Sequence, residues 1–176
     1  MPTWPYVNAH YVSLPLAAAY LLCLTPDPAS AADPELVWVD AQTLTVEGKG
    51  WTDTEAFYDR LPTKAHGVVR EPVWGLSKNS AGLCVRFQTT AGVVHVKWEV
   101  AGGLAMPHMP ATGVSGVDLY AKTDTGWRFV GNGGPGGPSN EATFYPGEAS
   151  ELCLYLPLYN VTTSVQIGVP AGQAVT

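Results

Sequence analysis

Residues 93–100, VVHVKWEV, alternate between two kinds of side chain over nearly their whole length. A period of two is typical of a β-strand with one buried and one solvated face. The positions on one side are Val94, Val96, Trp98 and Val100, and those on the other are Val93, His95, Lys97 and Glu99. The segment therefore predicts a strand whose even-numbered residues point into a core.

Strand-like segments recur along most of the chain and are separated by turns that contain Gly and Pro. They are ELVWV (35–39), TLTVEG (43–48), VWGLS (73–77), GLCVRFQTT (82–90), GVDLYAK (116–122), WRFVG (127–131), ATFYP (142–146), ELCLYLPLYN (151–160) and TSVQIGV (163–169). We expect the first two to form a strand pair. Residues 91–92 (AG) and 123–126 (TDTG) each predict a hairpin connection, and residues 131–140 (GNGGPGGPSN) predict a surface loop.

One segment favours a helix over a strand. WTDTEAFYDR (51–60) offers Thr52 or Asp53 as an N-cap, has acidic residues in its first turn, and stops before Pro62. The whole pattern predicts an all-β fold, a jelly-roll-like two-sheet antiparallel β-sandwich with one short helix.

The charged residues exclude some classes of function. The 176 residues carry 9 Lys and Arg against 15 Asp and Glu, a net charge of −6, with no basic run. Because nucleic-acid binding needs clustered positive charge, nucleic acid is not an expected partner. His66, His95 and His108 occur singly, without the spacing of a zinc site, so we expect no metal and no cofactor.

The first 31 residues predict a signal peptide. An apolar run at 14–24 (LPLAAAYLLCL) is too short to span a membrane, and ASA at 29–31 matches a small-x-small cleavage site. The first basic residue is Lys49, so the usual basic start is missing. We expect residues 32–176 to form the mature β-sandwich domain, in a secreted or periplasmic protein.

Two cysteines lie in the predicted mature domain, Cys84 and Cys153. An exported protein permits a disulfide between them. Each also lies in an apolar strand pattern, where a free cysteine acts as a small hydrophobe, and this second interpretation is the stronger one.

The segment MPHMPATGVSGVDLY (106–120) contains the residue types of a hydrolytic triad, namely Ser115, His108 and Asp118. A nucleophile on a strand-to-helix elbow needs the pattern G-x-S-x-G, but Val117 occupies the last position of GVSGV. The alternation that follows predicts a strand where the elbow needs a helix. We therefore interpret Ser115 as a turn residue, and a lone hydrolase built on these three residues is the weakest alternative.

Several blocks of the chain resemble, in order, the N-terminal G-x-D-L-Y domain of SGNH-hydrolase-type esterases. They are VEGKGW (46–51), FYDRLP (57–62), VWGLSKNSAGLCVRF (73–87), MPHMPATGVSGVDLY (106–120), LYLPLYN (154–160) and IGVP (167–170). The resemblance implies a jelly-roll-like domain placed ahead of an α/β SGNH domain that carries the nucleophilic Ser and the His and Asp. It implies hydrolysis of acyl esters on carbohydrates or small molecules, with no catalytic residue among these 176.

The resemblance also implies an accessory role, in which the domain docks on the SGNH catalytic domain of the same protein and shapes substrate access. The residues predicted to face that domain or its active-site mouth are Met106, Pro107, His108, Met109, Asp118 and Tyr120. The alternative is a stand-alone carbohydrate-binding module, in which exposed aromatic residues would stack on sugar rings. The candidates for stacking are Trp74, Trp127 and Tyr159.

Overall fold

The computed structural model describes residues 34–176, so the predicted signal peptide (1–31) lies outside the described residues. These residues form nine β-strands, two short α-helices and two 3-10 turns. The strands are β1 (Leu36–Asp40), β2 (Thr45–Glu47), β3 (Cys84–Gln88), β4 (Val94–Val100), β5 (Val117–Thr123), β6 (Gly126–Gly133), β7 (Ser139–Phe144), β8 (Glu151–Tyr155) and β9 (Thr162–Pro170). The helices are α1 (Glu71–Ser77) and α2 (Ala111–Ser115), and the 3-10 turns are Ala41–Thr43 and Thr63–Ala65.

The strands form two antiparallel sheets, which confirms the predicted β-sandwich. One sheet has four strands in the order β1-β9-β4-β7, and the other has five in the order β2-β3-β8-β5-β6. Strands distant in sequence are thus neighbours, and the order β1-β9-β4-β7 facing β3-β8-β5-β6 is that of a jelly roll with β2 added at one edge.

The core lies between the inner faces of the two sheets. The predicted inner positions of β4, from Val94 to Val100, are all buried, and Trp98 is completely enclosed. The inner positions of β5 and β8 meet them from the other sheet, with Leu119, Leu152 and Leu154 also fully buried. The alternation read from residues 93–100 is therefore confirmed.

Two of the predicted strand pairings are wrong. β1 and β2 lie in different sheets, as do β3 and β4, so neither pair forms a hairpin. The connection after β3 crosses from one sheet to the other, a step that hairpin chemistry at residues 91–92 does not reveal. The β5–β6 hairpin is confirmed, with Thr123 opposite Gly126. β6 and β7 also extend into the predicted loop at 131–140, which leaves residues 134–138 as the connection.

The predicted helix and one predicted strand are also wrong. Residues 51–60 form turns and not a helix, because side-chain hydrogen bonds hold the backbone in another conformation. Asp59 Oδ2 accepts from the Ala56 N–H at 2.9 Å, and Lys49 Nζ donates to the Phe57 carbonyl. The segment VWGLS forms α1 and not a strand. Glu71 in its first turn and Pro72 near its start favour a helix there.

Asn160 joins the loops at one end of the sandwich. Its Oδ1 accepts from the backbone N–H groups of Gly102 (2.7 Å) and Val161 (2.8 Å). Its Nδ2 donates to Ser115 Oγ (2.8 Å) and to the Gly103 carbonyl (3.2 Å). Because the side chain is buried, these bonds hold together the loops that precede β5 and β9.

We expect Asn160→Ala to destabilise the domain by about 2–4 kcal/mol, because it leaves buried backbone and hydroxyl groups without partners. Equilibrium denaturation in urea measures this change. Asn132→Ala is the matched control, because Asn132 is exposed on β6, and we expect a change within about 0.5 kcal/mol. Equal stabilities of the two variants would contradict the bracing role of Asn160.

Cys84 and Cys153 are free thiols on adjacent strands. In the pairing of β3 with β8, Cys84 lies opposite Tyr155, so Cys84 and Cys153 are offset along the strands by two positions. Such diagonal neighbours lie about 7–8 Å apart, whereas a disulfide needs Cα atoms about 4.4–6.8 Å apart. Burial raises the pKa of both thiols, that of Cys153 to about 12.

Alkylation of the native protein by iodoacetamide at neutral pH is expected to leave Cys84 and Cys153 unmodified. The raised pKa of Cys153 reduces its thiolate fraction by roughly a thousandfold relative to that of an ordinary thiol. After unfolding without reductant, both peptides should carry the label when analysed by mass spectrometry. A need for reductant before labelling would contradict the free pair.

Candidate functional site

The strand β5 presents the motif residues 116–120 on two opposite faces. Val117 and Leu119 point into the core and are buried, whereas Asp118 and Tyr120 are only half-buried and point outward. Asp118 and Tyr120 therefore lie on the outer face of the five-stranded sheet.

Gly116 fixes where this strand begins. Its φ of −87° is open to any residue, so its role is one of packing and not of conformation. A Cβ atom at this position would lie 2.5 Å from the Gly133 carbonyl oxygen and closer still to that of Thr112. The end of α2 therefore approaches β6 more closely than any side chain at position 116 would allow.

A pocket of about 200 Å³ opens beside Asp118. It is lined by Thr112, Gly113, Gly116, Asp118, Tyr120, Tyr155, Leu156 and Leu158. No hydrogen bond or ion pair from the described residues reaches the Asp118 carboxylate, and burial is the cause that raises the pKa of this carboxyl. The pocket thus combines an unpaired carboxylate with aromatic and aliphatic walls.

Aromatic side chains form a cluster beside this pocket on the same sheet face. The Tyr120 ring contacts the rings of Tyr155 and Phe129 edge to face, at centroid distances of 5.6 and 5.4 Å. Tyr155 and Phe129 remain 44% and 49% exposed. We call Asp118, Tyr120, Phe129 and Tyr155 the motif face.

The loop before α2 lies next to the pocket. Met106 and Met109 pair across a tight turn that places Pro107 and His108 at an exposed tip. The Met109 side chain packs against Gly113, at 3.3 Å from the position of a Cβ atom there. Since Gly113 lines the pocket, the structure brings the Met106–Met109 turn and the motif face together.

The structure does not assemble the Ser115, His108 and Asp118 triad. Ser115 is fully buried at the end of α2, so it is a helix residue and not the predicted turn residue. Its hydroxyl is engaged by Asn160 Nδ2 and the Gly103 carbonyl. His108 lies exposed at the turn, while Asp118 faces the pocket.

The three aromatic residues considered for sugar stacking lie apart. Trp74 is 5% exposed and stacks on His66 at 4.6 Å, so the prediction that its ring is exposed is wrong. Trp127 lies on β6 with Arg86 and Lys122 over its ring at 4.5 and 5.0 Å. Tyr159 is exposed on the loop between β8 and β9.

Within residues 34–176, no three His, Cys, Asp or Glu side chains lie close enough together to hold a metal ion.

Sequence reasoning missed Phe129, Tyr155 and Leu158 as site residues. The alternation in residues 151–155 places the Tyr155 side chain on the other face of the strand from the buried positions. This signal is present in the sequence. Only the pairing of β8 with β5 brings Tyr155 beside Tyr120, and no sequence pattern gives that register.

Comparison with known proteins places these features in context. Residues 36–175 match the family model described as "GxDLY: N-terminus of Esterase_SGNH_hydro-type". The structure is similar to that of a protein from Bacteroides ovatus described as a GDSL-like lipase, with 34% identity and a TM-score of 0.74 over 80% of this chain and 42% of that one. It is less similar to the salicylyl-acyltransferase SsfX3 from a tetracycline biosynthetic pathway, with 16% identity and a TM-score of 0.49 over 82% of this chain and 39% of that one.

The chain therefore spans less than half the length of these two proteins. No curated protein matches it.

Replacing Gly116 by Ala is expected to destabilise the domain by about 1–3 kcal/mol, because the new methyl group overlaps two backbone carbonyl oxygens. Thermal unfolding followed by circular dichroism measures the change. Gly75→Ala is the matched control: Gly75 lies in α1 with nothing within 4 Å of a Cβ position, and helix propensity predicts a gain of up to about 1 kcal/mol. A Gly116→Ala variant as stable as the parent would contradict the packing role.

Proposed function

The chain belongs to the GxDLY family, the N-terminal domain of SGNH-hydrolase-type esterases, and from this premise we propose that it is the accessory domain of a carboxylic ester hydrolase. In this proposal it docks on the SGNH catalytic domain of the same protein through the motif face. The Met106–Met109 turn then lies at the mouth of the active site and shapes substrate access.

The observation that carries the proposal is that the residues of the motif have two different kinds of environment. Gly116 is required by the close approach of α2 to β6, and Leu119 fills the core. Asp118 and Tyr120 do neither, since they point outward into a pocket. Fold stability therefore accounts for the Gly and the Leu of the family motif, and contact with a partner accounts for the Asp and the Tyr.

The chemistry of the motif face suits a protein partner. Half-exposed aromatic rings, those of tyrosine above all, are among the side chains that contribute most to protein interfaces when they become buried. The Bacteroides ovatus relative supports the choice of partner, because more than half of that chain lies beyond the matched part.

The Met106–Met109 turn suits a position at an active-site mouth. Methionine side chains adapt to the shape of an apolar group, and Pro107 and Pro110 restrict the backbone that carries them. In the proposal the nucleophilic Ser and its His and Asp lie in the SGNH domain. The substrate is an acylated carbohydrate or small molecule, and this domain contributes walls and not catalytic groups.

A stand-alone carbohydrate-binding module has less support. Trp127 lies opposite Lys122, near the end of β5, whereas the Tyr159 N–H donates to the Val114 carbonyl, before the start of that strand. The strand residues from Val117 to Lys122 alone span about 17 Å, so the two rings lie near opposite ends of β5. Carbohydrate binding by these rings stays a prediction.

The predicted export of the protein rests on residues 1–31 and also stays a prediction. Among the helices of the described part of the chain, none is long and apolar enough to cross a membrane.

The docking proposal is tested on the protein encoded by the complete reading frame, in which an SGNH domain is expected to follow. Hydroxyl-radical footprinting should find Tyr120, Phe129 and Tyr155 protected from oxidation relative to the same residues in this chain alone. Tyr145 is the internal control, because it is 72% exposed and lies outside the motif face. We expect Tyr120→Ser to lower kcat/KM for an aryl acetate about tenfold, and Tyr145→Ser to leave it unchanged.

Two results would overturn the proposal. One is a reading frame and neighbouring gene without an SGNH domain. The other is equal oxidation of the motif-face residues in the long and the short proteins, which would mean that this face is not covered.

A further inference from the structure

The pocket beside β5 contains the Asp118 carboxylate, for which residues 34–176 provide no hydrogen-bond or ion-pair partner. We propose that this pocket binds a guanidinium group, and that in the assembled esterase this group belongs to an arginine side chain of the SGNH domain. The source of the arginine rests on the proposed function, whereas the recognition of guanidinium rests on the pocket alone.

The Asp118 carboxylate is the first part of the argument. The alternation of side chains along β5 directs this carboxylate outward, and the pocket walls shield part of it from water. A shielded charge without a partner is unfavourable, and a well-aligned cation offsets part of that cost. The direction of its pKa, raised by burial, agrees with a carboxylate that lacks a compensating cation.

The walls of the pocket favour guanidinium over ammonium. Tyr120 and Tyr155 both line it, and their ring planes are inclined at 81° to each other. A guanidinium group is planar and weakly hydrated, stacks on aromatic rings, and donates two parallel N–H bonds to a carboxylate. A lysine ammonium is strongly hydrated and lacks the planar fork.

The size of the pocket suits one side-chain end. Its volume of about 200 Å³ is below the roughly 300–1,000 Å³ typical of small-molecule sites. A bound arginine would place its guanidinium against Asp118 and its methylene groups along Leu158, an exposed apolar side chain of the rim.

Two cations of the same sheet face are engaged elsewhere. Lys122 Nζ lies over the Trp127 ring, and Arg86 forms an ion pair with Glu151. The carboxylate is therefore left for a cation from outside the domain.

The recognition is tested on this chain with three small probes that differ in the group at the end of the side chain. Nuclear magnetic resonance of the ¹⁵N-labelled protein follows titration with N-acetyl-arginine methylamide, its lysine counterpart, and the uncharged citrulline counterpart. We expect saturable shifts at Asp118, Tyr120 and Tyr155 with the arginine probe, severalfold weaker binding of the lysine probe, and no saturable shift with the citrulline probe.

Two variants give the control. Asp118→Asn keeps the shape of the side chain and should weaken binding of the arginine probe about tenfold or more. Asp124→Asn removes an exposed carboxylate from the turn of the same hairpin and should leave binding unchanged. Spectra of both variants with the dispersion of the parent exclude unfolding as the cause.

The outcomes separate this inference from the docking proposal. Equal binding of the arginine and citrulline probes, or binding unaffected by Asp118→Asn, overturns the guanidinium site even where footprinting supports docking. Selective binding of the arginine probe supports the site, and it does so even where footprinting finds the motif face uncovered in the long protein.

Discussion

The hydrogen bond from Trp98 Nε1 to the Ser115 carbonyl, 2.8 Å long, connects the two sheets at the point where the motif begins. Trp98 is fully enclosed on β4 of the four-stranded sheet, and Ser115 is the last residue of α2 before β5. Because side chains of a strand alternate strictly, fixing residue 115 fixes which of the following residues point inward. A shift of one residue would send Leu119 into solvent and Asp118 into the core, so the site depends on this bond and on the packing of Gly116.

The hydrogen bonds around Ser115 also explain why this residue has a structural role and not a catalytic one. Its carbonyl serves Trp98 and its hydroxyl serves Asn160, so both polar groups are used within the fold. A nucleophile needs an exposed hydroxyl beside a base that is held in place by a third group. The residue types of a triad occur within eleven positions here, but the chain turns His108 to the surface and Ser115 to the interior.

The sequence was informative where local pattern and burial agree. The alternation of residues 93–100 predicted both faces of β4, and TDTG predicted the hairpin between β5 and β6, because these depend on neighbours in the chain. VWGLS forms a helix and not the predicted strand, because five residues with a mixed pattern do not distinguish a short helix from a strand. Residues 51–60 lack the predicted helix because tertiary contacts compete with it: Lys78 Nζ lies 2.7 Å from both Asp59 and Glu55 and holds those side chains in another arrangement.

The candidate site was predictable only in part for a related reason. Asp118 and Tyr120 share a face by simple alternation, and the resemblance selected them. Tyr155 and Phe129 come beside Tyr120 through the register of β8 and β6 against β5, which is set by core packing across the whole sheet. Pairing between distant strands leaves no local trace in the sequence.

The two outer faces of the sandwich differ in chemistry, and this difference bears on which of them meets a partner. On the four-stranded sheet, β4 and β7 present His95 opposite Thr143 and Lys97 opposite Glu141, pairs that satisfy each other in water. That face also carries Trp38, which contacts His95 edge to face and lies under Lys97. The five-stranded sheet presents three neighbouring aromatic rings, of which Phe129 and Tyr155 are 49% and 44% exposed, and an Asp118 carboxylate without a partner among the described residues. Polar pairs on a sheet face gain little from being covered, whereas exposed aromatic surface is stabilised by burial in proportion to its area. In the docking that we propose, the larger exposed aromatic surface therefore favours the five-stranded sheet as the contact face.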